Sequence, residues 1–263
     1  MYEPRTYRHW IRKSNLVSFS VTVEETDLHI SARTNLKRKT LRLVTKYRTI
    51  LEGYIERHPV FLTAMTPLPS ATEAPRLIRA MLAAAAKAGV GPMAAVAGAI
   101  AEFVGNELTD FSPEIIIENG GDIYLKSLKD RTIGIYAGSS PLTGRLGLEI
   151  AGADTPLGIC TSSGTVGHSL SRGRADAVIA LSPSATLADA AATAIGNLIG
   201  KPADIPRGIE LAERIEGLKG VVIISGDKLG LWGDVRICEA SPRAENSGVA
   251  ADRGQVKLTS PAR

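Results

Sequence analysis

LSPSATLADAAATAIGN, residues Leu181 to Asn197, carries an apolar strand end into an alanine-rich helix, and the rest of the chain is read outward from it. Residues 176–181 read as strand, and the helix runs from Thr186 to about residue 199. Asp189 and Thr193 stand four residues apart at its start, which sets both oxygens on one helical face. A hard cation such as magnesium takes oxygen ligands of this kind and keeps waters and ligand phosphates for the rest. The plainer reading is a capping box over Thr186-Leu187-Ala188-Asp189, with Asp in place of the favoured Glu and its charge offsetting the helix dipole. Threonine is no asset inside a helix, so Thr193 is not explained that way. The residue types leave both readings open.

Upstream, alternation over residues 19–32 predicts two strands joined by a turn at EETD. Leu36, Leu43, Tyr47, Ile50, Leu51 and Tyr54 recur at helical spacing over 35–57, and Pro59 ends that helix. Two alanine-rich helices follow. One runs from about Pro75 to Ala88 and stops at Gly89; the other opens with Pro92 and ends near Gly105. Strands are expected at 114–118, 123–126, 132–136 and 146–151, then a hydroxyl- and glycine-rich loop over Gly158–Gly173. Beyond the opening stretch come an amphipathic helix at 209–218 and strands at 221–225 and 229–238. Strands, paired helices, then strands again predict an α+β fold with antiparallel sheets. Residues 1–240 are expected to form a single domain, and 241–263 have the composition of a disordered tail.

The 31 basic and 27 acidic residues leave a net charge of +4, and aromatics make up 5% of the chain. The early basic residues, Arg5, Arg8, Arg12, Lys13 and the run around Lys37, are not interleaved with aromatics, so no base-stacking platform and no nucleic-acid partner are expected. An anionic small molecule suits the charge. The longest apolar stretch, Ala88–Ala101, falls short of the roughly 20 residues that span a bilayer, so no membrane association is expected. Cys160 and Cys238 make no disulfide framework, and MYEPRTYRHW has no apolar core of a secretory signal; the expected setting is cytoplasmic.

Three further segments carry candidate chemistry. Asn119-Gly120-Gly121-Asp122 between apolar runs is a hairpin signal, while its second glycine would leave amides open to an anionic or heterocyclic ligand. Thr161-Ser162-Ser163-Gly164-Thr165 offers four hydroxyls and several amides as a phosphate cradle; it lacks the lysine of a P-loop, and a tight polar turn is the plainer reading. Cys160 reads as a small buried hydrophobe or as a nucleophile whose pKa a positive group such as His168 would lower; His168 reads as a general base, as a phosphate contact or, more plainly, as a histidine bonded to its own loop.

Together these segments resemble the ApbE superfamily, whose best-known members are FAD:protein FMN transferases. Asn119, Gly120, Gly121, Asp122 and Ile123 are similar to its Asn-x-Gly-Gly-Asp-Ile segment with one residue fewer. Thr161, Ser162, Ser163 and Gly164 are similar to Ala-Thr-Ser-Gly. Leu187, Ala188, Asp189, Ala190, Ala192, Thr193 and Ala194 match Leu-Ala-Asp-Ala-x-Ala-Thr-Ala, whose Asp and Thr hold magnesium in that family. GPMAAVAGAIAEF resembles the helix built on Ala-Lys-Gly-Tyr-x-x-Asp, with Gly98 and Glu102 in register. The likeness covers about Pro75 to Asp234. It departs at Ala97, the family lysine position, and at the absent His-x-x-Asp-Pro, where this chain has GHSLSRGRADAV.

The resemblance implies a T-fold of antiparallel sheets covered by helices in two intertwined halves, in the compact cytoplasmic branch of the superfamily. It implies Mg2+ at Asp189 and Thr193 and FAD or FMN, or a similar phosphorylated ligand, across 119–122 and 161–165. Activity, where retained, is expected to be FMN transfer, and the departures favour binding over transfer. Two alternatives stand beside it: a thiol-based sulfur-transfer or sulfur-amino-acid accessory protein using Cys160, and a non-catalytic accessory subunit that docks a protein partner through its basic N-terminal segment; a homo-oligomer is a separate expectation.

Overall fold

Phe19 faces Ile30 and Val21 faces Leu28 across a hairpin of β1 (Val17–Val23) and β2 (Thr26–Ala32), and all four are buried. The computed structural model describes residues 16–164 and 173–240. After the hairpin come α1 (Lys37–Arg57), the single turn α2 (Val60–Thr63) and α3 (Arg76–Ala88). The left-handed Gly89, at φ 76°, closes α3. A 3-10 turn over Pro92–Ala95 then leads into α4 (Val96–Leu108). Strands β3 (Ile115–Asn119), β4 (Asp122–Lys126), β5 (Arg131–Gly134), β6 (Leu146–Ile150), β7 (Leu157–Ser162) and β8 (Ala177–Ser182) precede α5 (Ala185–Gly196). The described chain ends with α6 (Ile205–Arg214), β9 (Gly220–Ser225), β10 (Lys228–Gly233) and β11 (Ile237–Glu239).

Eight strands form one sheet in the order β1-β2-β3-β4-β7-β8-β9-β10, and every neighbouring pair is antiparallel. The other three form a small sheet, β11-β6-β5. The large sheet has two apolar faces. Ile115, Ile117, Tyr124 and Ile223 pack with the helices. Ile116, Leu125, Ile159 and Val222 pack with Ile133 and Leu148 of the small sheet. Burial on both sides explains the uninterrupted apolar runs of β8 (AVIALS) and β9 (GVVIIS). The α+β class and its antiparallel sheets are as expected, and the helices take one face of the large sheet.

Three expected boundaries differ. The stretch 157–162 is β7, a central strand, rather than the start of a loop. The expected strand 229–238 divides into β10 and β11, which belong to different sheets. The last helix begins at Ile205, four residues earlier than its amphipathic pattern alone indicates, because Pro206 fits the first turn of a helix. No single helix among the described residues is long and apolar enough to cross a membrane; α3 and Pro92–Leu108 pass by length and composition only as a pair bent by 105°.

One buried ionic cluster joins the two sheets. Glu114, just before β3, pairs with Arg131 of β5 and with Arg33, just after β2. Ser127 donates to Glu114 at 3.2 Å and accepts from Arg131 Nε at 2.9 Å. Burial alone would raise the Glu114 carboxyl; the two guanidinium groups outweigh it and hold it below its ordinary range.

Candidate functional site

The β3–β4 hairpin brings the first two groups together. Asn119 pairs with Asp122, and Gly120 and Gly121 between them have φ of 66° and 108°, the double left-handed geometry of a two-residue hairpin. By strand alternation Asn119 and Asp122 lie on the helix-facing side with Ile117 and Tyr124. Asn119 Nδ2 donates to the Ala97 carbonyl at 3.0 Å, and Asp122 Oδ1 accepts from the Thr161 amide at 3.1 Å. The Gly121 amide donates to Glu118 Oε1 at 2.9 Å. This corrects the expectation of a free Gly121 amide: the double glycine serves the turn, and the carboxylate of the preceding strand takes the amide.

Helix α5 supplies the opposite wall. Its N-cap is Ser184, whose hydroxyl accepts from the Leu187 amide at 3.3 Å; a capping box starting at Thr186 is not formed. Asp189 therefore sits in the second turn, and its Oδ2 accepts from the amide of Gly98 at the start of α4, at 2.9 Å. Gly98 is required there, since a Cβ on it would lie 2.3 Å from the Ala185 carbonyl oxygen and 2.8 Å from Asp189 Cβ. Gly158 plays the same part on β7, where a Cβ would meet Ala185 Cα at 2.2 Å. The start of α5 thus presses on both α4 and β7 with no side chain between. Thr193 follows one turn after Asp189 and is half-buried.

Asp122 and Asp189 are both buried, and the charge of Asp189 reaches Asp122. Burial, and then the charge of Asp189, push the Asp122 carboxyl well above its ordinary range. Burial pushes Asp189 up to about 7, against the opposing pull of the Gly98 and Ala97 amides. Among the described residues no lysine or arginine bonds to either carboxylate. Two buried acids without a basic partner are an expensive arrangement unless a cation or protons complete it.

Cys160 lies beneath them. It is completely buried on β7, its thiol donates to the Ala185 carbonyl at 3.3 Å, and burial with the two nearby carboxylates pushes its pKa well above the ordinary thiol value. A thiolate needs positive neighbours and access, and among the described residues Cys160 has neither, which counts against its reading as a nucleophile.

The hydroxyl segment is divided by the fold. Thr161 and Ser162 are strand residues; the Thr161 amide is held by Asp122, while Ser162 Oγ is buried on the helix-facing side without a hydrogen-bond partner among the described residues. Ser163 and Gly164 follow, and Gly164 packs so closely on Gly173 that a Cβ would lie 2.0 Å from the Gly173 carbonyl oxygen. Thr165 and His168 lie outside the described residues, as does the basic run Arg5 to Lys13. The structure therefore brings Asn119, Asp122, Cys160, Thr161 and Asp189 together around the starts of α4 and α5.

One participant went unassigned by sequence reasoning. Glu102 on α4 accepts at Oε2 from Ser184 Oγ (2.9 Å), Thr186 N (2.8 Å) and Thr186 Oγ1 (2.8 Å). Its signal in the sequence was its register with the Asp of the family helix, within an alanine- and glycine-rich stretch that gave it no role.

With this geometry in view, the comparisons with known proteins are specific. The family described as AbpE bacteria matches residues 8–215. The chain belongs to that family. Within the ApbE-like superfamily, its relatives include the UPF0280 protein of Methanococcus aeolicus, 40% identical over 229 residues that cover 84% of this chain and 91% of the relative. The UPF0280 protein of Methanocaldococcus jannaschii is 43% identical over 203 residues, covering 75% and 82%. Among solved structures, the fold of this family member is shared with the flavin transferase ApbE from Vibrio cholerae, at a TM-score of 0.54 and 14% identity over 82% of this chain and 96% of that one. It is shared too with the apo Pseudomonas stutzeri flavinyl transferase ApbE, at 0.53 and 14% over 82% and 94%.

Proposed function

We propose that this family member binds a flavin nucleotide, or a similar phosphorylated ligand, together with magnesium at the start of α5. The observation that carries the proposal is the pair Asp122 and Asp189, two buried carboxylates with raised pKa values and no basic partner among the described residues. Asp189 and the Thr193 hydroxyl are the assigned metal ligands, and Asp122 adds negative charge beside them. Among the described residues no group of three His, Cys, Asp or Glu is arranged to enclose a metal. A hard cation that keeps waters and ligand phosphates in its shell suits such a partial donor set. When bound, it would neutralise diphosphate charge.

The chain's own residues have definable parts in this reading. Gly98 and Asp122 hold the carboxylate and strand β7 in place through the bonds described above. Ser162, whose buried hydroxyl has no hydrogen-bond partner among the described residues, and Ser163 and Gly164 beside it are assigned to the ligand. Gly120, at the hairpin tip with open space where a Cβ would stand, lets a ligand approach the backbone. The flavin identity rests on the titles of the two transferases that share the fold. Ala97 stands where the resemblance expects lysine, and among the described residues no basic side chain bonds to either carboxylate, which favours binding over FMN transfer.

The deciding experiment is isothermal titration with FMN and FAD, with and without MgCl2, on protein stripped of bound small molecules. Magnesium-dependent flavin binding that disappears in Asp189→Asn supports the assignment. Binding of neither flavin under either condition overturns it.

A further inference from the structure

Glu102 stands in the middle of α4 among Ala101, Phe103 and other apolar residues, half-buried. A carboxylate in such a place is costly unless it is bonded. Its Oε2 takes three donors, all from the start of α5: the Ser184 hydroxyl and both the amide and hydroxyl of Thr186. The favour is returned one turn further along α5, where Asp189 takes the Gly98 amide at the start of α4. Each helix therefore caps the other's first turn with a carboxylate, which satisfies amides that no intrahelical carbonyl can reach. Between the two attachment points Gly98 and Ala185 are in backbone contact, so neither helix can slide along the other without breaking a bond or a close contact.

We propose that Glu102 is a positioning residue for the cation site. By gripping Ser184 and Thr186 it fixes the rotation and depth of α5, and so the point at which Asp189 stands against Asp122 and the start of α4. This rests on the assignment of Asp189 as a cation ligand. Glu102 itself touches neither cation nor nucleotide in this scheme; it acts through the backbone of α5.

The probe is Mn2+ alone, titrated by electron paramagnetic resonance into the full chain at a temperature where every variant retains native circular dichroism. Glu102→Ala is expected to weaken Mn2+ by about 10-fold or more, the range found when a group that orients a metal ligand is removed. Glu102→Gln keeps a carbonyl oxygen for the Thr186 amide and is expected to restore most of that loss. Leu148→Ala and Ile133→Val, buried in the small sheet within the other core, lower stability by other means and are expected to keep wild-type affinity. Wild-type affinity in Glu102→Ala, or an equal loss in the small-sheet variants, overturns the proposal. If wild type and Asp189→Asn bind Mn2+ alike, the cation assignment fails instead. Iodoacetamide labelling then judges Glu102 separately, with the half-buried Cys238 as internal reference, because the start of α5 covers Cys160. Faster Cys160 labelling in Glu102→Ala shows that Glu102 seats α5; unchanged labelling removes that role too.

Discussion

Asp189 is held in a conflict that a cation or a proton must resolve. Its ordinary value is 3.8, and burial lifts it to about 7 in the fold. Below the ordinary value both folded and unfolded chains carry the proton, and the cation-free protein has its full stability from this group. Between the two values the fold keeps a proton that the unfolded chain has lost, so stability falls as pH rises across that window. Thermal melts of metal-free protein between pH 4 and 8 should show this decline. Magnesium should oppose it most at pH 8, because binding requires the ionised form. Asp189→Asn is expected to do two opposite things: raise the metal-free melting temperature at pH 8 by several degrees, and abolish the shift that MgCl2 gives the wild type. A variant that lowers the metal-free melting temperature at pH 8 would contradict this account. At this scale the sequence was partly legible. Asp189 and Thr193 stood out by spacing, while the amide that holds Asp189, Gly98, lies 91 residues away and only the packed helices bring it close.

At the scale of elements, α4 and α5 are small-residue helices because they lie in backbone contact. Gly98→Ala places a methyl group 2.3 Å from the Ala185 carbonyl oxygen, so the helices must separate. A loss of roughly 1–3 kcal/mol is expected from such overpacking, with a parallel loss of Mn2+ affinity, measurable by urea unfolding and by titration. The helix α4, α5 itself and the β3–β4 hairpin were readable from Pro92, from the alanine run and from Asn119-Gly120. Strand β7 was not. Its Gly158 and its hydroxyls at 161 and 162 carry the composition of a loop. They sit in a central strand because Gly158 must admit the start of α5, and Ser162 turns toward the helices. Glu102 was placed by its register with the family helix, but its role was not legible, since its three donors come from another element.

For the whole molecule, the eight-stranded sheet is shared by two cores, and Glu114 ties its β3 side to the small sheet through Arg131. Arg131→Met leaves Glu114 with only the partly exposed Arg33 as cation, and a cost of about 3–5 kcal/mol at pH 7 is expected from the unbalanced buried charge. In the wild type Glu114 is held below its ordinary range, so its contribution is present above that range and is lost as pH falls through its folded value. The gap between wild type and Arg131→Met should therefore narrow in acid, since protonation removes the uncompensated charge. Chemical denaturation at pH 7 and pH 4 checks both statements, and an equal gap at the two values would refute them.

The sequence by itself determined the element types, most of their limits and the antiparallel α+β plan, because periodicity, glycine and proline act over a few residues. It also supplied the family likeness through short ordered segments. The tertiary structure alone decided that residues 157–162 pair inside the large sheet, that Cys160 is sealed beneath α5, and that Glu102 and Asp189 cap each other's helices. Those outcomes depend on burial and on donors from distant parts of the chain, and neither leaves a local periodic trace.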